Sequence, residues 1–122
     1  MHLQQHLLRQ MAFSHATYGP GKRTEGVSDH IRKELIEVAE AQGHEQTEEW
    51  VDVVILALDG LTRRLAFSVS EEDCTDPALR MDPEIVAQKA CEMILQKQTR
   101  NEARRWPDWR TAEKGKAIEH VT

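Results

Sequence analysis

Two acidic pairs carry most of the chemistry this chain can offer, Glu34-x-x-Glu37 and Glu49-x-x-Asp52. Residues three apart share a helix face, so each pair sets two carboxylates side by side. A break at Gln42-Gly43-His44 separates them, and a hairpin there brings all four acids to one spot. Hard cations such as Mg²⁺ or Mn²⁺ favour that all-oxygen arrangement. Asp52 makes the stronger case. It lies within Trp50-Val51-Asp52-Val53-Val54-Ile55-Leu56-Ala57-Leu58, apolar on nearly every face and therefore expected to be buried. A carboxylate buried there is costly unless something compensates, and a divalent cation does so. Either pair alone describes a solvated helix face, and Glu49 alone a first-turn acid near a helix N-terminus. Two pairs at hairpin distance, one of them in an apolar helix, turn the reading towards a metal site.

The elements that position these acids follow from periodicity. Leu3, Leu7, Leu8 and Met11 predict a short amphipathic helix over residues 2–13. Residues 14–26, around Gly19-Pro20-Gly21, read as a long loop from which Tyr18, Lys22 and Arg23 reach a phosphate or a base, or serve as ordinary surface groups. A second helix is expected from a Ser28 or Asp29 cap to about Ala41, with Ile31, Leu35 and Val38 facing the core. His30, Glu34 and Glu37 lie along the edge of that face, where His30 is a ligand, a hydrogen-bonded neighbour or an exposed side chain. A third helix spans about Thr47 to Phe67, with Trp50 packed in the core. Asp59, on the side of Glu49 and Asp52, is a further acid for the site or simply a charge near Gly60.

After an acidic connection over 68–81, Asp82-Pro83 makes a helix start with proline at the first position. The fourth helix runs to Trp106, stopped by Pro107. Its apolar face, Val86, Ala90, Met93 and Ile94, continues as Lys97, Asn101 and Arg104 or Arg105. That polar end lines a cleft or frays into solvent. A tail from Asp108 to Thr122 has room for one short helical turn.

With 122 residues the chain is long enough for one all-α domain, residues 1–122, with the tail from about 108. A net charge of −5 argues against polymeric nucleic acid as a partner, although residues 100–110 are locally basic. Two cysteines, Cys74 and Cys91, without metal or redox spacing suggest a reducing compartment. No apolar run approaches a membrane span and the first residues lack a signal pattern, so a cytoplasmic location is expected.

The acidic pairs resemble the metal motif of the all-α nucleoside triphosphate pyrophosphohydrolases, the MazG-like superfamily. Lys97-x-x-x-Asn101-x-x-x-Arg105 is similar to that group's downstream substrate-binding helix. The resemblance narrows to the MazZ-type dATP/dGTP diphosphohydrolases of bacteria and their phages. It rests on Phe13-Ser14, Tyr18-Gly19-Pro20-Gly21, Arg23-Thr24, Gly26-Val27 and Asp29 through Leu35. It continues in Glu49-Trp50 through Asp59-Gly60, Lys97-Gln98, Asn101-Glu102 and Arg105 through Thr111. The Glu37-to-Glu49 spacing is at the short end for the superfamily and implies a tight helix connection.

The resemblance implies an all-α, MazG-like helical bundle completed by oligomerisation, as a homodimer or homotetramer. It also implies hydrolysis of a purine deoxynucleoside triphosphate, dGTP or dATP, to the monophosphate and pyrophosphate. For a phage-encoded protein the location would be the host cytoplasm. Glu34, Glu37, Glu49 and Asp52 would hold two or more Mg²⁺ or Mn²⁺ ions, which acidify water and offset charge on the α-phosphate. Glu34 or Glu37 is the candidate to accept the water's proton. Lys97 and Arg105 would neutralise the β- and γ-phosphates, and Asn101 would bond phosphate or sugar. A different class, a non-catalytic helical interaction module stabilised by metal, predicts metal-dependent stability without triphosphate turnover.

Overall fold

The structure, a computed structural model, describes residues 2–72 and 74–122; Asp73, within the connection expected over 68–81, lies outside the described residues. Among the described residues there are four α-helices: α1 (Leu3–Tyr18), α2 (Thr24–Glu40), α3 (Gly43–Ala66) and α4 (Pro83–Ala103). Short 3₁₀ turns at Pro77–Leu79 and Trp109–Thr111 complete the order, and no strand occurs among the described residues. The architecture is all-α, as expected. Two compact units are distinguished, Met1–Cys91 and Glu92–Thr122, with the division inside α4. No helix is long and apolar enough to cross a membrane among the described residues.

In the first unit α1 runs five residues beyond its expected end at Phe13. Leu7, Met11 and Ser14 follow one another along its buried face. The apolar pattern stops at Ser14, but the helix does not, because Ser14 finds polar partners on α3. Gly19, at φ 89°, and Pro20 end it. What was read as a thirteen-residue loop is therefore only the connection over 19–23.

α2 also begins earlier than its local caps predict. Arg23 turns the chain in a left-handed conformation at φ 49°. The Glu72 carboxylate then accepts from the Thr24 hydroxyl at 2.9 and 3.0 Å and from its backbone N–H at 3.5 Å. A cap supplied from 48 residues away leaves no mark in the local sequence. Only residues 41–42 separate α2 from α3, the tight connection that the acidic spacing implied. Gln46 Nε2 closes it by donating to the Val38 and Ala41 carbonyls at 3.0 and 3.2 Å. Farther along the pair, Gly60 brings α3 close to Val27, whose Cγ1 would lie 3.5 Å from an added Cβ.

The core forms two neighbouring clusters. Met11 packs with Ala66, Phe67 and Val86; Leu7 meets Ala87 and Ala90, with Leu58, Leu61 and Leu65 around them. Ala87 and Ala90 of α4 are wholly buried in the second cluster. Burying Leu7 contributes roughly 1.5–3 kcal/mol on its own. Asp82 caps α4 as expected, its Oδ1 accepting from the Glu84 N–H at 2.9 Å.

Two expectations about α3 are overturned. Trp50, predicted in the core, is 50% exposed, and Asp52, predicted buried, is exposed. Val51 and Val54 beside them are also open to solvent, as are Leu35 and Ile36 on α2. An apolar run that reads as buried is thus left largely open to solvent.

In the second unit α4 ends at Ala103, three residues before its expected end at Trp106. The Trp106 indole N–H donates to the Asn101 carbonyl at 2.6 Å, closing the last turn. Beyond Pro107, Asp108 caps the turn at Trp109–Thr111. The Val121 N–H returns to the Arg105 carbonyl at 2.8 Å.

Candidate active site

Glu49 and Asp52 lie three residues apart on α3, and the short turn brings Glu34 of α2 opposite them. One oxygen from each of the three falls within 4.8 Å of the others. Glu34 Oε2 and Glu49 Oε2 are buried and have no hydrogen-bond partner. A carboxylate has no proton of its own to donate, so these oxygens need a proton or a cation between them. The donor set is all oxygen and anionic, and it fits a hard divalent ion.

The acids feel one another. The Glu34 carboxyl is pushed up to about 7, first because a proton on it can be shared with Glu37, then by burial and by the same sharing with Glu49. The charges of Glu37 and Asp52 act in the same direction. For Glu49 the interaction with Glu34 pulls downward, but burial and the charges of Glu37 and Asp52 outweigh it, and the net shift is upward. Raised carboxyl groups of this kind mark a site short of positive charge.

Glu37 is exposed and is not one of the three converging acids; it borders an open hollow with Glu40, Glu45 and Glu49. The expected four-acid cluster is thus three convergent carboxylates with Glu37 beside them. His30 Nε2 lies 3.5 Å from Glu34 Oε1, next to the cluster rather than in it.

A cavity of about 180 Å³ opens on the α1 side of the acids. Phe13, Tyr18, Ile55 and Leu56 give it apolar walls, Glu34 and Asp52 form its acidic edge, and Ser14 and Asp59 line it as well. Phe13 and Tyr18 meet edge to face, with ring centroids 6.5 Å apart. Arg23 lays its guanidinium 5.3 Å from the Tyr18 ring centroid. Lys22 is not available as expected: its Nζ donates to the Ser70 carbonyl at 2.8 Å.

The family model for dATP/dGTP pyrophosphohydrolases matches residues 7–122. The chain belongs to this family. No curated protein and no solved structure matches it. Membership brings the family's reaction, hydrolysis of purine deoxynucleoside triphosphates, and decides for an enzyme over a non-catalytic module.

Asp59, expected as a further acid for the metal, is engaged elsewhere. It is buried and takes Arg63 Nε on both oxygens at 3.1 Å, with the Ser14 hydroxyl on Oδ1 at 2.7 Å. Sequence reasoning missed Arg63 itself. The i, i+4 spacing of Asp59 and Arg63 within an apolar helix was the available signal. In the second unit Lys97 and Arg105 are exposed. Of the two readings open for the polar end of this helix, a cleft lining or a solvent-facing end, exposure favours the second. Arg105 lies beyond the end of α4, so it does not continue the helical line of Lys97 and Asn101. Asn101 Oδ1 accepts from Arg104 Nη1 at 3.3 Å.

Proposed function

We propose that Glu34, Glu49 and Asp52, with Glu37 beside them, hold the divalent cations of a purine deoxynucleoside triphosphate pyrophosphohydrolase, and that the cavity at their edge receives the base. The observation that carries this is the pair of buried, unpartnered oxygens on Glu34 and Glu49, within a cluster that forms one edge of the cavity. At about 180 Å³ the cavity falls below the roughly 300–1,000 Å³ of a site for a whole drug-sized ligand. It suits one part of the nucleotide, with the phosphates outside it.

Bound to these acids, Mg²⁺ or Mn²⁺ would offset charge developing on the α-phosphate and acidify water. Glu37, exposed and not among the converging oxygens, is available to take the proton of the attacking water, with Glu34 as the second candidate. Water attacks the α-phosphorus, the bond from that phosphorus to the bridging oxygen breaks, and pyrophosphate leaves with its electron pair. Tyr18 and Phe13 hold the base by ring contacts, and Arg23 braces Tyr18 from its own place on the ring. Lys97 and Arg105, with no ion-pair partner among the described residues, and Asn101 are the proposed phosphate ligands. Chain 1–122 acts as one domain in this reading. A second copy over Trp50, Val51 and Val54 would complete the bundle as a dimer, or as a dimer of dimers.

Incubation with each deoxynucleoside triphosphate and Mn²⁺, with separation of the products, tests the proposal. Purine monophosphate and pyrophosphate are expected from wild type and neither from a Glu49→Gln variant. Full turnover by that variant would remove the acidic cluster from the reaction.

A further inference from the structure

Arg63 is wholly buried, and its guanidinium donors all point at oxygen. Nε serves both Asp59 oxygens at 3.1 Å; Nη1 reaches the Gly19 and Gly21 carbonyls at 2.8 Å each; Nη2 reaches the Ser14 carbonyl at 3.2 Å and hydroxyl at 2.8 Å. One side chain on α3 thereby fixes the last turns of α1 and the connection after it. Two members of this network, Ser14 and Asp59, line the cavity. Tyr18, another lining residue, immediately precedes the clamped Gly19. Both clamped glycines have positive φ, 89° at Gly19 and 97° at Gly21, so this path is one that glycine permits and Arg63 selects. At Gly21 an added Cβ would also stand 2.8 Å from the Cys74 carbonyl oxygen, which leaves the connection little room to shift.

Resting on the reading that the cavity takes the base, we infer that Arg63 is the positioning residue of the base site: it sets the place of the Tyr18 wall and so the preference for purine over pyrimidine triphosphates. The charge is balanced within the network by Asp59, and no donor is left over for substrate. Arg63 therefore acts only through the cavity wall. A purine is the larger flat ring and would meet more of a wall that includes Phe13, Tyr18 and Ile55 than a pyrimidine would, so its binding depends more on where that wall stands. A rigid support of this kind is what precise placement of a flat ring requires.

Arg63→Lys keeps a charge for Asp59 but lacks the planar fork that reaches two carbonyls and Ser14 together. Its kcat/KM for dGTP relative to dCTP is expected to fall about tenfold, mainly through a higher KM for dGTP, with helical content and Mn²⁺ affinity unchanged. Ser14→Ala removes one arm of the network and should move the same ratio in the same direction by a smaller factor. A merely structural role lowers activity on both nucleotides equally and leaves the ratio where it was. Should Arg63→Lys lose its helical signal, Ser14→Ala decides alone, and an unchanged ratio overturns the inference. Phe13→Ala separates the two levels of the argument. An altered ratio there with wild-type ratios in the folded network variants defeats Arg63 as the positioning residue only. An unaltered ratio in Phe13→Ala defeats the base-site reading and the inference with it.

Discussion

Glu34 and Glu49 face each other across the α2–α3 turn with carboxylate oxygens within 4.8 Å, and each keeps an Oε2 buried without a partner. Two anionic groups are not held this way by their own attraction. The hairpin holds them, through its two-residue connection and the Gln46 bonds to Val38 and Ala41, and the repulsion is relieved by whatever cation or proton lies between. If the proposed cation binds here, its affinity and the instability of the metal-free protein would have one origin.

Asp52→Asn tests that origin directly. Its charge helps to raise both Glu34 and Glu49. Removing it is expected to abolish pyrophosphohydrolysis while leaving the metal-free melting temperature equal or higher. Turnover at saturating Mn²⁺ and thermal unfolding in chelator are the two measurements. Near wild-type turnover would exclude Asp52 as a ligand.

The pH dependence follows from the raised Glu34 carboxyl. Its folded value of about 7 exceeds the ordinary 4.5, so its contribution to stability is complete below 4.5 and is lost as pH rises through 7. His15 works in the opposite sense: burial, with the charges of Arg63 and Arg80, lowers it to about 4, and its contribution is lost as pH falls from 6.5. A difference measurement isolates Glu34. In chelator, Glu34→Gln should gain melting temperature relative to wild type as pH rises from 4.5 to about 7, then run parallel to it. A difference that does not change with pH would show Glu34 titrating normally. For wild type, Mn²⁺ affinity should climb over the same interval, because the metal displaces the shared proton.

The acidic pairs were legible because helix spacing and a glycine break are local facts, and the hairpin needed nothing more. The all-α class and the Asp82-Pro83 start of α4 were legible for the same reason. What escaped was whatever depends on a distant partner. Ser14 looked like the end of a helix because its buried face is satisfied by Asp59 and Arg63, 45 and 49 residues on. α2 starts at Thr24 because Glu72 caps it. Trp50 and Asp52 were assigned to an interior because apolar neighbours imply burial, but not which surface supplies it. Asp59 looked like a metal acid until its guanidinium partner was seen.

The bond cleaved is open to isotope labelling. Attack at the α-phosphorus sends solvent ¹⁸O into the monophosphate and releases unlabelled pyrophosphate. Label in the pyrophosphate would place the attack on the β-phosphorus instead. Orthophosphate with the diphosphate as first products would contradict the proposed reaction altogether.

Lys97 and Arg105 give the last prediction, and their exposure sets its size. A lysine in a dry cleft would lose most of its hydration before meeting phosphate; an exposed one exchanges water for the anion with a modest net gain. Charge-assisted bonds contribute roughly 1.5–3 kcal/mol, and the lower end applies to solvated groups. Lys97→Ala and Arg105→Ala should each weaken binding of a non-hydrolysable dGTP analogue about tenfold in the presence of Mn²⁺, since about 1.4 kcal/mol corresponds to that factor. Raising the salt concentration should narrow the gap to wild type, as it does for exposed charges. Affinity for Mn²⁺ without nucleotide should hold, because neither residue belongs to the acidic cluster. Lys89→Ala, an exposed lysine earlier in α4, is the control and should bind as wild type does. If all three variants match wild type, the phosphates are held by other groups, and Arg23, beside the Tyr18 wall, becomes the cation to test next.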